Sequence, residues 1–381
     1  MQLEPSAEQL AIQDAVRGFA EAEVRPRAAA IDSEHAFPRD IIRRAGELGF
    51  MGMLIPSQYG GAGLDHLSFT LAVEELARAC ASTAVIIDVH NSVASEPIVL
   101  FGSEPQKQRW LPALARGSTL GGFALTEPGS GSDAAALNTS ARRAGQDWVL
   151  SGTKVFITNV GEAGLYLVFA RTAAEGATGI SAFLVPADSA GLKVGQVFRK
   201  MGLNGSVTGE LVLEEVRVPA ANLLGPEGAG FAIAMRALDS GRIGISGQAL
   251  GIARAVLEGA LDHTRQRRPL GRPVALDQGV SFVLADLATQ LTAGRQLAHN
   301  AASLCSTGRP FTREAALAKL FCTDLAMHAA SQGVELAGEP GYLCEQPFER
   351  HFRDAKALQI YEGTNQVQRL VIARSLLRGR P

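Results

Sequence analysis

The stretch 148-WVLSGTKVFITN-159 decides the fold class of this 381-residue sequence. Its apolar residues form two short runs, Trp148–Leu150 and Val155–Ile157, and the frequent β-branched and aromatic residues are typical of strands. Ser151-Gly152 between the two runs is a candidate hairpin turn. Similar runs follow at Tyr166–Ala170, Ile180–Val185 and Leu211–Leu213. We therefore expect a small antiparallel sheet domain over residues 121–225.

The sequence on either side of this region has a helical pattern. Glu8–Ala29 and Leu67–Cys80 carry apolar residues at three- and four-residue spacing, and the same spacing returns from Ala229 and persists toward the C-terminus. A chain of this length is too long to fold around a single hydrophobic core, so more than one domain is expected. The expected fold is α+β with helices in the majority: a helical domain over 1–120, the sheet domain over 121–225 and a second helical domain over 226–381.

A row of glycines lies within the first part of the C-terminal helical region. Gly241, Gly244, Gly247 and Gly251 are three, three and four residues apart, so a helix places them on one face. Each glycine inside a helix costs about 1 kcal/mol relative to alanine. Close approach of another helix would explain the row, and so would a flat ligand; the sequence leaves both explanations open.

Composition and charge narrow the functional classes. The net charge of −2 creates no field that favours nucleic acid or an anionic membrane. The four cysteines show no metal-binding spacing and are expected to be reduced, mostly buried thiols. We see no signal peptide and no stretch that approaches the ~18 apolar residues of a membrane span. These observations predict a cytoplasmic protein with no metal, no nucleic-acid partner and no membrane partner.

Three segments carry residues suited to chemistry. In Tyr361–Gln366, Glu362 stands between an aromatic residue and a glycine, a setting in which an apolar pocket raises the pKa of a carboxylate and makes it a usable base. Thr126–Asp133, with the sequence TEPGSGSD, is a glycine-rich turn whose hydroxyls and amides suit phosphate, although it is neither a P-loop nor a dinucleotide fingerprint. Phe156–Asn159 ends a strand. Each segment alone is more often structural than functional.

Together the three segments resemble the acyl-CoA dehydrogenase family. YEGTNQVQR, TEPGSGSD and KVFITN occur in the order and at the separations of that family, and the resemblance covers nearly the whole chain. Further matching stretches are IPSQYGGAG at 55–63, HNS at 90–92, GSEPQKQRWLP from Gly102, LDSGRIGISGQALG from Leu238 and FRDAKALQIYEGT from Phe352. The helical–sheet–helical order is also that of the family, and the resemblance implies that the C-terminal domain, 226–381, is a four-helix bundle.

The resemblance implies a cofactor and its contacts. FAD is expected between the sheet domain and the C-terminal helices. The positions that match FAD contacts of the family are Thr126, Ser132, Phe156, Thr158, Arg267, Leu270, Gln278, Glu335, Glu339, Thr364 and Gln366. Of these, Arg267 and Gln278 match a pair that reaches the FAD of a neighbouring subunit. The resemblance therefore implies a homotetramer that shares FAD between subunits.

The resemblance also implies the reaction. Glu362 matches the base that removes the α-proton of an acyl thioester while FAD takes a hydride from the β-carbon, so that a trans-2-enoyl thioester is formed. A subset of the family places the base at the position of Gly241, and glycine cannot act as a base. Residues matching the substrate pocket are Asp239, Arg242, Tyr361 and Gly363. The expected electron acceptor is an electron-transferring flavoprotein.

Several positions depart from the family pattern. Phe156 stands where tryptophan is more common, Leu270 replaces a common phenylalanine, and Asn204 replaces a frequent arginine. Glu335 and Glu339 replace Gln and Gly near the neighbour's FAD, where carboxylates repel a pyrophosphate unless they are paired, for example with Arg267.

Several alternative functions stay open or are disfavoured. The departures at Asn204, Glu335 and Glu339 leave open a biosynthetic dehydrogenase that acts on carrier-protein thioesters or desaturates at an unusual position. A flavin oxidase on the same fold is a further alternative. A base at Glu362 argues against a monooxygenase. The net charge and the end of the chain at Pro381 argue against a DNA-associated member. A non-catalytic scaffold leaves the motifs unexplained.

Overall fold

A computed structural model of the chain describes residues 4–173, 176–269 and 271–377. The N-terminal helices are α1 (Ala7–Phe19), α2 (Ala28–Ser33), α3 (Arg39–Glu47), α4 (His66–Ala79), α5 (Ala81–Val89), α6 (Glu96–Phe101) and α7 (Glu104–Ala115). Local signals set the helix starts: Ser6 and Gln9 form a capping box before α1, and the Asp65 carboxylate accepts a hydrogen bond from Ser68 N at the start of α4. A π-helical segment, His90–Ser95, joins α5 to α6.

The middle of the chain forms one eight-stranded sheet. Its strands are β1 (Gly121–Ala124), β2 (Ser140–Ala144), β3 (Asp147–Thr158), β4 (Leu165–Arg171), β5 (Ile180–Pro186), β6 (Leu192–Val197), β7 (Thr208–Pro219) and β8 (Leu223–Leu224). The order is β6-β7-β3-β2-β4-β5-β8, and β1 pairs with β4. Most pairings are antiparallel as expected, but β4 pairs in parallel with both β1 and β2.

The predicted hairpin turn at Ser151-Gly152 is wrong. Both residues lie inside β3, which runs without interruption from Asp147 to Thr158. Gly152 marks an irregularity in the pairing with β7, and a Cβ there would lie 2.4 Å from Thr139 Oγ1. The glycine therefore accommodates a close neighbour, which is a common role of glycine within a strand. The actual hairpin joins β2 to β3 around Gly145, which has a φ of +67°.

The C-terminal region is a bundle of long helices. They are α8 (Gly230–Gln266), α9 (Gln278–Ser306), α10 (Thr312–Ala337), α11 (Pro347–Leu358) and α12 (Asn365–Leu377). Their shared core is rich in leucine and alanine and also includes Leu67 and Leu71 of α4. Part of the glycine row is explained here: a Cβ on Gly247 would lie 2.7 Å from Thr70 O, and one on Gly251 would lie 2.4 Å from Glu74 O. These two glycines let the backbones of α4 and α8 approach closely.

One described segment is long and apolar enough to cross a membrane. Ala81–Phe101 has a mean hydropathy of 1.3, so the expectation that no stretch approaches a span was wrong by length and composition. In the structure, 83% of its apolar window is buried inside the protein. Packing in the protein core accounts for its composition.

Candidate active site

Glu362 lies in the turn between α11 and α12. Its φ of +51° is in the left-handed region, which is uncommon for residues other than glycine, and Gly363 follows with a φ of +88°. Glu362 as a whole residue is partly accessible, but both of its carboxylate oxygens are buried, and neither has a hydrogen-bond partner among the described residues. An unpaired buried carboxyl in a strained turn is a frequent feature of functional sites.

The surroundings of Glu362 change its acidity. Burial raises the pKa of the carboxyl group to about 7, although the positive charges of Lys319 and Arg242 oppose this rise. A carboxylate with a pKa near neutral pH is ionised in part and gains a proton readily, which is what a general base requires. The raised pKa is the property that the sequence predicted for Glu362, and its role as the base stays a prediction.

A buried lysine holds the turn in place. Lys319 of α10 is fully buried, and its Nζ donates to Gly363 O at 2.9 Å and to Asn365 Oδ1 at 2.9 Å. Gln368 Nε2 donates to the same Gly363 O at 2.8 Å. Burial lowers the pKa of Lys319 to about 7. Lys319 was not among the residues predicted from the sequence, although a lone lysine on the alanine-rich buried face of α10 was a possible signal.

The four residues predicted to line the substrate pocket lie around this turn. Arg242 Nη1 donates to Asp239 Oδ1 at 2.5 Å, and Thr312 Oγ1 donates to the other carboxylate oxygen, also at 2.5 Å. Burial raises the pKa of Asp239 and lowers that of Arg242, while each opposes the shift of the other. Arg242 Nη2 lies 3.8 Å from the position of a Cβ on Gly363. The Tyr361 hydroxyl donates to Gln248 Oε1.

An apolar cluster stands beside these polar groups. It consists of the buried side chains Val85, Val89, Val93 and Ala237, against which Phe123 and Tyr361 pack. Phe123 belongs to β1, and Tyr361 precedes the predicted base, so the cluster connects the sheet to the turn of Glu362. An apolar wall beside a carboxylate suits a substrate with a hydrocarbon chain.

The glycine-rich turn from Thr126 to Asp133 is fastened to β3. Val155 N donates to Thr126 O at 2.9 Å. Lys154 Nζ donates to Leu125 O at 3.0 Å and to Glu127 Oε1 at 2.8 Å. Burial lowers the pKa of Lys154 to about 8, against the attraction of Glu127. The structure thus brings together two of the three motifs, with Thr126 half-buried and Ser132 exposed.

The end of β3 presents an aromatic ring to the surface. Phe156 is 66% exposed, has a φ of +59° and lies at an irregularity in the pairing with β7. Its ring packs at a tilt against Phe198 with centroids 5.0 Å apart. Thr158 is half-buried on the same strand end. An exposed phenylalanine next to a polar, amide-rich turn fits a flat aromatic ligand that carries phosphate groups.

The remaining predicted FAD contacts lie elsewhere in the single chain. Arg267 ends α8 and is exposed, 26 residues after Gly241, which corresponds to about 39 Å along a helix. Its Nη1 lies 3.2 Å from the position of a Cβ on Gly338. Glu335 and Glu339, near Gly338 in sequence, are both exposed. Gln278 begins α9 and is exposed. Leu270 lies outside the described residues.

Two further predicted contacts directly follow the base. Thr364 Oγ1 accepts a hydrogen bond from Val367 N at 3.2 Å, so Thr364 caps α12. Gln366 lies in the first turn of that helix and is exposed. A hydroxyl and an amide at a helix N-terminus suit an anionic or polar ligand.

Three potential metal ligands lie together outside this site. Donor atoms of His66, Glu96 and Cys305 are within 4.8 Å of one another. Arg236 Nη2 lies 3.3 Å from Glu96 Oε1 and 3.5 Å from Cys305 Sγ. The arginine therefore supplies positive charge to this cluster.

Comparison with known proteins agrees with the motifs. The profiles of the N-terminal, middle and C-terminal domains of acyl-CoA dehydrogenases match residues 6–118, 122–216 and 228–377. The chain is 47% identical to the rat mitochondrial short-chain specific acyl-CoA dehydrogenase over 368 residues, which is 96% of this chain and 89% of the relative.

Two solved structures are similar throughout. Butyryl-CoA dehydrogenase from Megasphaera elsdenii has a TM-score of 0.98 and 42% identity, with 99% of this chain and 100% of that chain covered. A chain in a structure of the electron transferring flavoprotein of Acidaminococcus fermentans has a TM-score of 0.98 and 44% identity, with the same coverage. This chain belongs to the acyl-CoA dehydrogenase family, whose members are FAD-dependent oxidoreductases.

Proposed function

We propose that this acyl-CoA dehydrogenase uses Glu362 as the base that removes the α-proton of a short-chain acyl-CoA. The observation that carries the proposal is the Glu362 carboxyl group, whose two oxygens are buried without a hydrogen-bond partner in the described parts of the chain. Burial raises its pKa to about 7. The adjacent apolar cluster of Val85, Val89 and Val93 suits the hydrocarbon part of the substrate.

The chain offers a suitable setting for FAD. The exposed ring of Phe156 and the half-buried Thr158 would lie against the flavin, and the turn containing Thr126 and Ser132 would hold the polar part of the cofactor. The Lys154–Glu127 ion pair keeps that turn in register with β3. Bound FAD supplies the acceptor for the hydride that leaves the β-carbon.

The protein residues act on the proton and on the substrate carbonyl. Glu362 takes the α-proton, and we assign the donor to the thioester oxygen to its own backbone N–H. A donor of this kind is typically worth about 3–4 kcal/mol of transition-state stabilisation. Lys319 donates a hydrogen bond to Gly363 O and so holds the turn in place, which keeps the carboxylate and the backbone N–H of Glu362 at a fixed position relative to each other. Arg242, paired with Asp239, lines the polar side of the proposed pocket.

The test replaces the proposed base by a residue of nearly the same shape that cannot accept the proton. Glu362→Gln should slow anaerobic flavin reduction by butyryl-CoA by about 10²–10⁴, the usual contribution of a general base. FAD content and thermal stability should stay close to wild type. Glu8→Gln, which changes an exposed carboxylate in the first turn of α1, is the matched control and should reduce its flavin at the wild-type rate. Equal rates for wild type and Glu362→Gln would remove the assigned base.

We propose a short acyl chain and CoA as the carrier. The short-chain specific and butyryl-CoA relatives support this, and so do the bulky valines at the apolar cluster. Flavin reduction by acyl-CoAs of graded length, run beside acyl-carrier-protein thioesters, measures both properties. Faster reduction by the carrier-protein thioesters would favour the biosynthetic alternative, and rapid reoxidation by oxygen would favour the oxidase.

We also propose a homotetramer that shares FAD between subunits. Large apolar side chains are exposed around α9 and α12: Leu276, Phe282, Leu370, Leu376 and Leu377. Exposed apolar surface of this kind is typical of subunit interfaces. Arg267 lies about 39 Å along α8 from Gly241, which faces the Glu362 carboxyl group, and this separation favours contacts to two different FAD molecules. Light scattering of the purified holoenzyme should give four times the mass of one chain, which is 40.1 kDa.

The remaining functional assignments are proposals as well. We propose an electron-transferring flavoprotein as the acceptor, a role in fatty acid metabolism, and a cytoplasmic location. The proposed acceptor is supported by the similarity of this chain to one in a structure of the electron transferring flavoprotein of Acidaminococcus fermentans. We further propose that residues 1–120, 121–225 and 226–381 fold as separate domains, in line with the three matched ranges. Reduction of a purified electron-transferring flavoprotein by the acyl-CoA-loaded enzyme tests the acceptor.

A further inference from the structure

The first two glycines of the row on α8 face carboxyl groups rather than backbone. A Cβ on Gly241 would lie 2.2 Å from Glu362 Oε2, and one on Gly244 would lie 1.9 Å from Asp88 Oδ1. Cβ positions three residues apart on a helix are about 5–6 Å apart. The two glycines therefore open one slot along α8 in which the carboxyl groups of Asp88 and Glu362 lie side by side.

Asp88 has no role in the reaction described above, yet it is fully buried. It lies on α5, and its Oδ1 accepts a hydrogen bond from Ser92 Oγ at 3.0 Å. Its Oδ2 and both oxygens of Glu362 are buried, and within the described parts of the chain they have no hydrogen-bond partner. Buried polar atoms are nearly always satisfied, and a water that contacts several of them is a frequent partner.

The charges around the slot allow one proton to remain on the pair. The other titratable groups that face it are Lys319, Arg242, Asp239 and Tyr361. The charge of Arg242 is balanced by Asp239, and the buried phenol of Tyr361 stays neutral. Lys319, whose pKa burial lowers to about 7, supplies at most one positive charge for the two carboxyl groups. Two adjacent carboxyl groups that are shielded from bulk solvent do not both ionise, so the pair keeps one proton near neutral pH.

The position of the cations decides which carboxyl group keeps that proton. Lys319 and Arg242 act on Glu362, whereas the charged group that acts on Asp88 is Glu362 itself. Burial and this like charge hold the pKa of Asp88 well above its usual range. Asp88 is therefore the neutral acid, and Glu362 is the ionised base.

We propose that Asp88 is a positioning residue for the reaction, whose neutral carboxyl group donates a hydrogen bond to one bound water molecule that in turn donates to the carboxylate of Glu362. The inference rests on the proposed role of Glu362 as the base. The water-mediated donor stabilises the ionised form of Glu362 and keeps its side chain on the Gly241 face of α8. An apolar residue at position 88 removes this support, whereas an amide retains a donor.

The test compares two substitutions with nearly the same shape as Asp88. Asp88→Leu places methyl groups where the oxygens are, and it should raise the apparent pKa in the kcat/KM profile by about one unit, as expected for a lost hydrogen bond to a charged group. Asp88→Asn keeps a neutral donor and should leave this apparent pKa within about half a unit of wild type. Infrared spectra of the holoenzyme should show a protonated carboxyl band above pH 7 that both variants lose.

Each other outcome has a defined meaning. A lower apparent pKa in both variants would show that Asp88 is ionised and repels Glu362, which overturns the inference, and so would an unchanged profile in Asp88→Leu or a carboxyl band that persists in both variants. If Asp88→Leu does not fold or bind FAD, Asp88→Ala takes its place, with the same expected direction. An inactive Glu362→Gln beside an unshifted Asp88→Leu refutes only this inference, whereas an active Glu362→Gln refutes the proposed base.

Discussion

Replacing Lys154 by methionine should destabilise the protein and loosen the turn that we assign to FAD. The ammonium group is fully buried and bonds to Leu125 O and to the Glu127 carboxylate. Removing one partner of a buried ion pair costs about 3–5 kcal/mol. Glu127 keeps two backbone donors, Asn138 N at 2.6 Å and Thr139 N at 2.8 Å, so we expect the lower end of the range, about 3 kcal/mol.

Urea unfolding of the holoenzyme and FAD titration of the stripped protein measure the two effects. Lys193→Met is the matched control, because Lys193 forms a 2.6 Å ion pair with Glu214 in which both side chains are more than half exposed, and it should change stability by less than about 1 kcal/mol. Adding Glu127→Gln to Lys154→Met should restore part of the loss, since the uncompensated charge is gone. A loss below about 1 kcal/mol in Lys154→Met would refute the reasoning.

Three further predictions concern the base Glu362, the packing of α4 on α8, and Lys319, which donates a hydrogen bond to the turn of Glu362. The kcat/KM for butyryl-CoA should rise with increasing pH through about 7, because Glu362 accepts a proton only when ionised and burial raises its pKa to that value; a flat profile from pH 6 to 8 would contradict this. Gly247→Ala should lower the free energy of unfolding by about 1–3 kcal/mol, because its Cβ would overlap Thr70 O, whereas Gly18→Ala in α1, where a Cβ meets no described atom within 4 Å, should raise it by up to about 1 kcal/mol; chemical denaturation measures both, and a stabilised Gly247→Ala would be inconsistent with close packing of α4 on α8. Lys319→Met should move the pH profile toward alkaline values by about one unit, because the positive charge opposes the raised pKa of Glu362; an unmoved profile would show that the lysine acts on the turn alone.

Local sequence patterns were sufficient for the order of the elements. Apolar spacing of three and four predicted the helices around Glu8–Ala29 and Leu67–Cys80, and the short apolar runs all fall within strands. These patterns succeed because they reflect the faces that helices and strands bury. The prediction of a hairpin at Ser151-Gly152 failed because local sequence does not show tertiary neighbours. A glycine that makes room for Thr139, just before β2, has the same local sequence as a glycine in a turn.

The sequence by itself determined the family, the helical–sheet–helical order and Glu362 as the candidate base, because these depend on motifs and on periodicity along the chain. Only the tertiary structure revealed that Lys319 holds the turn of Glu362, that Lys154 fastens the glycine-rich turn, and that Asp88 shares a slot with Glu362. These residues are far apart in the chain and have ordinary neighbours in sequence. Their chemistry comes from burial and from charges on other elements, and both exist only after the helices and the sheet have packed together.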